Sequence, residues 1–187
     1  MHNEVRDVNR FIVLTGGPGS GKTTLIEALH RCGYARSIEA GRGVIQDQVA
    51  IDGPALPWKN PVLFAELMLS WELRSYRLAE GSTGAVFFDR GVPDIVGYLR
   101  LVGVPVPEHV RKAAETFRYN RRAFIAPPWR EIFQPDDERK QDFDESVRTY
   151  QSILTTYTEY GYELIEIPRI SVEERVRFIL DVVASTS

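Results

Sequence analysis

Eight consecutive residues carry the strongest chemical signal in the chain. Gly16-Gly-Pro-Gly-Ser-Gly21-Lys22-Thr23 fits the spacing G-x-x-x-x-G-K-S/T. Glycines let successive backbone N–H groups converge on one anion. A helix opening at Lys22 adds the positive end of its dipole. The Lys22 ammonium reaches β- and γ-phosphates, and the Thr23 hydroxyl holds Mg2+. The expected phosphate cradle is Gly16, Gly17, Pro18, Gly19, Ser20, Gly21, Lys22, Thr23 and Thr24, for ATP with Mg2+. A dinucleotide loop fits less well, because G-x-G-x-x-G gives Lys22 and Thr23 no role and its third glycine would fall on Lys22.

Phosphoryl transfer also needs an acid near the metal and the attacking hydroxyl. Asp89 closes the apolar run Ala85-Val-Phe-Phe88, at the strand end where an open α/β sheet binds ligands. It is the candidate metal-orienting or proton-accepting group, and Arg90 follows it as a candidate phosphate or substrate contact. On the acceptor side, Glu39 and Arg42 share a face if a helix begins there. Asp94 and Tyr98, four apart, are expected to face the same crevice. Trp58 and Trp71 read as packing residues, with Trp58 on a proline-rich loop also able to stack on a base. The charged stretch from Pro127-Pro-Trp-Arg130 to Arg139-Lys140 reads as a flap over the crevice, about residues 127–142. Arg130 and Arg139 are its candidate catalytic cations, with Lys140 third, against the alternative of a solvated loop balanced by its own acids.

These groups need a frame that brings them together. Arg10 to Thr15 is a short, continuously apolar run of the kind buried on both faces of a parallel sheet. Lys22 to Cys32 then puts Leu25, Ile26, Ala28 and Leu29 on one helical face, with Gly33 closing it. Further strands are expected at residues 34–38, 84–89, 122–126 and 162–167. Helices are expected at 40–50, 61–80, 93–101, 107–119, 142–160 and from Ser171 onward. Asn60-Pro61 and Ser171-Val-Glu-Glu174 are capping signals. The helix after Asn60 shows Leu63, Phe64, Leu67, Met68 and Trp71 at helical spacing. The one after Asp142 shows Phe143, Val147, Tyr150, Leu154 and Tyr157, and the last points Val176, Ile179, Leu180 and Val183 inward. The alternation predicts an α/β, three-layer fold with about five parallel strands, helices on both faces and a short lid, all in one domain. It does not specify strand order.

Composition narrows the function classes. A chain of 187 residues, 43% hydrophobic, can build a core without staples. Its single cysteine, Cys32, excludes an internal disulfide framework. His2, His30 and His109 are far apart, which argues against a Cys/His zinc site. No apolar run exceeds four residues, so no membrane span is expected. The polar N-terminus lacks a signal-peptide centre, and a reduced, cytoplasmic protein is the expectation. A net charge of −3 argues against a nucleic-acid binder, although Arg111, Lys112, Arg118, Arg121 and Arg122 form a basic cluster in sequence.

Taken together, the stretches Gly16 to Thr24, Glu39 with Arg42, Phe88-Asp89-Arg90-Gly91 with Asp94, and Phe124-Ile-Ala-Pro-Pro-Trp129 leading to Asp137-Glu-Arg139 carry a resemblance. The chain resembles the P-loop kinase superfamily. More closely, it is similar to the small predicted ATPases and kinases grouped with ribosylnicotinamide kinase domains. That resemblance implies ATP and Mg2+ at Lys22 and Thr23, Asp89 as the strand-end acid, and Arg130 and Arg139 in the lid. Nucleoside and nucleotide kinases, cytidylate kinase among them, share the plan, and the acceptor stays open.

Two functions are therefore expected. One is a small-molecule kinase acting on a nucleoside, nucleotide or related metabolite, with a nucleotide triphosphate and that acceptor as partners. The other is a nucleotide-dependent regulatory ATPase or switch with a protein partner. A GTPase lacks its N/T-K-x-D base reader here, and a remodelling ATPase with a helical lid domain has little room in this length. Oligomeric state is not legible.

Overall fold

The computed structural model describes residues 8–133 and 142–185. A single 3-10 turn, Val8–Arg10, leads into five strands: β1 Phe11–Gly16, β2 Ala35–Arg36, β3 Val86–Asp89, β4 Arg122–Ala126 and β5 Glu163–Glu166. Seven helices join and follow them: α1 Lys22–Arg31, α2 Ala40–Ala50, α3 Pro61–Glu80, α4 Val92–Leu101, α5 Glu108–Thr116, α6 Phe143–Glu159 and α7 Val172–Ala184. The strands form one parallel sheet in the order β2-β3-β1-β4-β5.

Strand β1 is buried throughout because both its faces are covered. Its side chains alternate, as a period of two requires. Ile12 and Leu14 pack with Leu25, Ile26 and Leu29 of α1 and with Val176 and Ile179 of α7. Phe11 and Val13 pack on the other face with Tyr76 of α3 and Ile153 and Tyr157 of α6. A second layer of apolar contacts joins α3, α4 and α5 through Leu69, Val96, Leu99 and Val110. Register then sets the site. Leu14 pairs with Asp89 and Gly16 with Ala126, so the carboxyl ends of β1, β3 and β4 finish side by side.

Local chemistry explains the helix starts. The Asn60 side chain accepts from the Leu63 N–H at 3.0 Å, with Pro61 at the first helical position. Ser171 and Glu174 form the reciprocal box that opens α7.

Three expected faces are wider than their apolar spacing predicts. In α6 Tyr157 is buried and Tyr150 and Leu154 pack half-buried against the core, as their spacing predicts, but Ser146, Ile153 and Thr156 are buried as well. Small hydroxyl residues face inward there because α6 lies against backbone: Ser146 Oγ donates to the Pro18 carbonyl and Ser152 Oγ to the Gly97 carbonyl. In α3 Phe64 is buried and Leu67, Met68 and Trp71 pack beside it against Val44 and Ile45 of α2, as their spacing predicts, while Ala65, Leu69, Glu72, Tyr76 and Ala79 form a further buried stripe and Leu63 is exposed. In α7 Arg175 is buried beside Val176 and Ile179. The helix expected over 107–119 ends at Thr116, and Tyr119 instead enters the core. Strand β2 is only two residues long, with Ser37 beyond it donating its N–H to the Phe87 carbonyl.

Candidate active site at the carboxyl edge of the sheet

The loop between β1 and α1 is shaped by its protein neighbours. Gly19 has φ +67°, a conformation that L side chains rarely adopt, and a Cβ there would lie 2.5 Å from the Phe133 ring. A Cβ on Gly17 would lie 2.6 Å from Ser146 Oγ and collide with the Ser146 carbonyl. Helix α1 starts after Gly21, which has no side chain to cap its first-turn N–H groups. Lys22 is buried, and its ammonium donates to the Gly17 carbonyl at 2.6 Å and to Ser20 Oγ at 3.1 Å. Burial, with the nearby Arg90 guanidinium, lowers its pKa from 10.5 to about 7 despite Asp89, Glu39 and Asp94. Thr23 and Thr24 follow on the exposed side of the first turn.

Asp89 ends β3 beside this loop. Its N–H donates to Ser37 Oγ at 3.1 Å, and its carboxylate is buried with Oδ1 lacking a partner among the described residues. Burial, then the Glu39 charge, raises its pKa from 3.8 to about 6, against the pull of Lys22 and Arg90. An orphaned carboxylate oxygen beside a phosphate loop fits a divalent cation, with the Thr23 hydroxyl as a second ligand. No cluster of three or more acidic, histidine or cysteine ligands occurs among the described residues. That donor set fits Mg2+, which keeps waters and substrate phosphates in its shell instead of taking an all-protein cage.

Arg90 is the organising cation. Its backbone φ of +74° is a left-handed conformation that is strained for a non-glycine residue. Nε donates to Glu39 Oε1 at 3.1 Å, and Nη1 donates to Asp94 Oδ1 and to the Gly16 carbonyl, both at 3.0 Å. Burial would favour losing the proton, but Glu39 and Asp94 outweigh it and hold the guanidinium charged. Asp94 is satisfied on both oxygens. Oδ1 also accepts from Thr15 Oγ1 at 2.6 Å, and Oδ2 accepts from the Tyr157 hydroxyl at 2.6 Å and the Gly91 N–H at 3.0 Å. One carboxylate thus ties β1, α4, α6 and the Arg90 turn together.

Between α2, α3, α4 and α6, next to this cluster, lies a cavity of about 310 Å³. Glu39, Arg90 and Asp94 line it, Pro18 forms its loop end, and Glu72 and Tyr98 reach it from α3 and α4. Glu39 stands at the N-terminus of α2 and Arg42 follows, half-buried, in its first turn. Trp58 is exposed at 55% and lines the cavity, whereas Trp71 packs against Gly43.

Above the loop, Trp129 to Phe133 pack onto Gly19 and Gly21 through Phe133 and Ile132. Arg130 is exposed, its guanidinium 4.1 Å from the Phe143 ring centre. Arg139 and Lys140 lie outside the described residues. The basic residues near position 118 are held locally: Arg111 bonds Glu108, and Arg118 bonds the Tyr160 carbonyl over the Tyr162 ring.

Four further residues belong to the site but not to its motifs. Thr15 and Tyr157 fix Asp94. Glu72 is an acid in an otherwise apolar and aromatic helical stripe, the pattern that signals it. Arg175 is 2% exposed, donates to the Ser20 carbonyl at 3.3 Å, and lies 5.7 Å from the Trp129 ring centre. Its place in line with Val172 and Ile179 is the only sequence cue to it.

Comparison with known proteins places this geometry. No curated protein matches the chain by sequence. The NadR protein solved in complex with NR superposes with a TM-score of 0.74 at 18% identity, over 96% of this chain and 52% of that one. The chain therefore spans about half the length of that structure. Deoxyadenosine kinase from M. mycoides, solved with products dCMP and dCDP, gives 0.69 at 13% identity, over 94% of this chain and 99% of that one. Thymidylate kinase from Ehrlichia chaffeensis gives 0.58 at 14% identity, over 94% and 98%. The shared feature is the fold, a five-stranded parallel sheet of the P-loop kinase type. No helix among the described residues is long and apolar enough to cross a membrane. Residues 11–175 match the family described as AAA domain, and the chain belongs to that family, built on a P-loop kinase fold.

Proposed function

We propose that the chain is an ATP-dependent phosphotransferase that moves a γ-phosphoryl group onto a hydroxyl of a small-molecule acceptor. The observation that carries this reading is the cavity beside the phosphate loop, with Pro18 at the loop and Arg90 both lining it. The backbone from Gly16 to Thr24 and the Lys22 ammonium hold the triphosphate. Thr23 and Asp89 hold Mg2+, which neutralises developing phosphate charge when bound. Glu39, beside Arg90 at the cavity wall, is placed to accept the hydroxyl proton, and Asp89 shares that electrostatic field. Asp94 completes the acceptor wall by holding Arg90 in place, and Arg42 serves the acceptor from the first turn of α2, next to the lining residue Gly41. Arg130 and Arg139 are assigned to the transferring group as sources of positive charge, Arg130 from the segment packed on the phosphate loop, with Arg139 outside the described residues. Catalysis in this scheme is positioning and preorganised charge.

A nucleotide-dependent regulatory ATPase leaves the cavity without a role, so the kinase reading is preferred. This reading keeps the cytoplasmic setting expected from the sequence. The test is ATP turnover with and without added metabolites. Acceptor-dependent ADP release that Lys22→Ala abolishes, with the fold retained, supports it. Acceptor-independent hydrolysis stimulated by a protein overturns it in favour of the switch.

A further inference from the structure

The acceptor cavity has a chemical character that the phosphate loop does not dictate. Four acids line it (Glu39, Glu72, Asp94 and Glu145), and Arg90 is the only base among the described lining residues. Arg90 already donates to Glu39, Asp94 and the Gly16 carbonyl. A phosphate or carboxylate on the acceptor would meet net negative charge in a low-dielectric wall, where like charges repel most strongly.

The same cavity gathers unpaired polar atoms. Three buried side-chain atoms of its lining (Glu72 Oε2, Tyr98 OH and Thr149 Oγ1) lack a hydrogen-bond partner among the described residues. They come from three helices, α3, α4 and α6. Glu72 is only 2% exposed. Burial, with Asp94 and Asp89 nearby, pushes its carboxyl well above the usual range. Buried polar groups are nearly always paired, and one left alone costs free energy that a bound partner recovers. Phe64 and Tyr98 meet edge to face with centroids 5.4 Å apart, giving the cavity an aromatic wall. A volume of about 310 Å³ sits at the small end of ligand sites.

Building on the kinase reading, we propose that the cavity takes an unphosphorylated, nucleoside-like acceptor. A flat ring lies along Phe64 and Tyr98 and offers an N–H donor to Glu72, and the sugar hydroxyls reach the Glu39–Arg90 end. The reaction forms a bond between a sugar oxygen and the γ-phosphorus and breaks the bond from that phosphorus to the β-phosphate oxygen. ADP leaves, and the hydroxyl proton passes to a carboxylate. Nucleoside monophosphates are excluded by the same acids.

The test uses the full chain with ATP·Mg2+ and two matched sets of probes. One set is ribo- and deoxyribonucleosides with purine, pyrimidine or pyridine rings, and the other is their 5′-monophosphates. The expected result is at least tenfold stimulation of ADP release by one or more nucleosides, with phosphorylated product seen by mass spectrometry and no stimulation by the matching monophosphate. Glu72→Gln should raise that nucleoside's KM at least tenfold and leave the KM for ATP unchanged. Tyr98→Phe keeps the ring and removes a hydroxyl with no partner among the described residues, so it should fold as the wild type does and raise the same KM about threefold. Preferential phosphorylation of monophosphates, or an unchanged KM in Glu72→Gln, overturns the proposal and leaves the kinase reading standing. ATP·Mg2+ binding by equilibrium dialysis without turnover of any nucleoside also overturns it. Failure to bind ATP·Mg2+ removes both.

Discussion

Replacing Asp94 with asparagine should separate the stability of the site from its shape. The carboxylate accepts from Thr15 and Arg90 on Oδ1 and from Tyr157 and Gly91 on Oδ2. Asparagine keeps the volume but turns one acceptor oxygen into an NH2 group. The Tyr157 hydroxyl can rotate to accept from it, but the Gly91 N–H then faces another donor. Arg90 keeps Glu39 but loses its second anionic partner. Hydrogen bonds to charged groups are worth about 1.5–3 kcal/mol each. One such bond lost and another weakened gives a destabilisation of about 3 kcal/mol. For a domain of this size that is a drop of about 6–12 °C in Tm. Tyr157→Phe removes one of the same bonds and should cost about 1.5–3 kcal/mol. Because both act on one carboxylate, the double variant should lose at least ~1 kcal/mol less than the sum of the singles. Urea denaturation of the wild type, both single variants and the double variant closes the cycle. A Tm for Asp94→Asn within 2 °C of wild type (roughly 1 kcal/mol or less), or strict additivity, would refute the four-bond arrangement.

Other outcomes follow from the same geometry. Lys22→Met should abolish phosphoryl transfer while preserving the far-ultraviolet circular dichroism spectrum, and retained turnover would remove the lysine from the mechanism. The lysine also sets a pH signature. Its folded pKa of about 7 lies below the ordinary 10.5, so between those values the unfolded chain holds a proton that the folded chain lacks, and stability should climb with pH by up to ~1.4 kcal/mol per unit. Asp89 acts oppositely, stability falling as pH rises from 3.8 to about 6. Urea midpoints from pH 7 to 9.5 should show the climb in wild type and lose it in Lys22→Met. Gly19→Ala places a methyl on the Phe133 ring at a positive φ and should weaken ATP binding at least tenfold by calorimetry, with an unchanged affinity counting against the loop geometry. Arg130→Ala removes an exposed contact with Phe143 worth about 0.5–1 kcal/mol, so Tm should hardly move while kcat falls at least tenfold. Equal losses in both would make the residue structural.

Much of this architecture was readable because several local signals agreed. An apolar run, a glycine loop and an amphipathic helix at 11–31 name the same unit three ways. The Asn60 and Ser171 caps place two helix starts. Periodicity reading, however, searches for apolar residues, and this site is built from polar residues on buried faces. Ser146, Thr15, Glu72 and Arg175 sit where an apolar residue is expected, so a hydrophobic template passes over them. Strand order was hidden for a different reason. It depends on which side of β1 each crossover packs, and no single segment encodes that. Asp94 illustrates a mixed case: its position at the crevice was legible, but its role in fixing Arg90 depends on Thr15 and Tyr157, 79 and 63 residues away.

Helix α6 touches both halves of the proposed reaction. Ser146 holds the Pro18 carbonyl of the phosphate loop, and Tyr157, three turns on, holds the carboxylate that steadies Arg90. A rigid rod anchored at two substrate sites makes their occupancies thermodynamically linked. Whatever factor the donor nucleotide contributes to the acceptor's affinity, the acceptor must return to the donor's. Substrate synergism, each substrate tightening the binding of the other, is the expected expression of that helix.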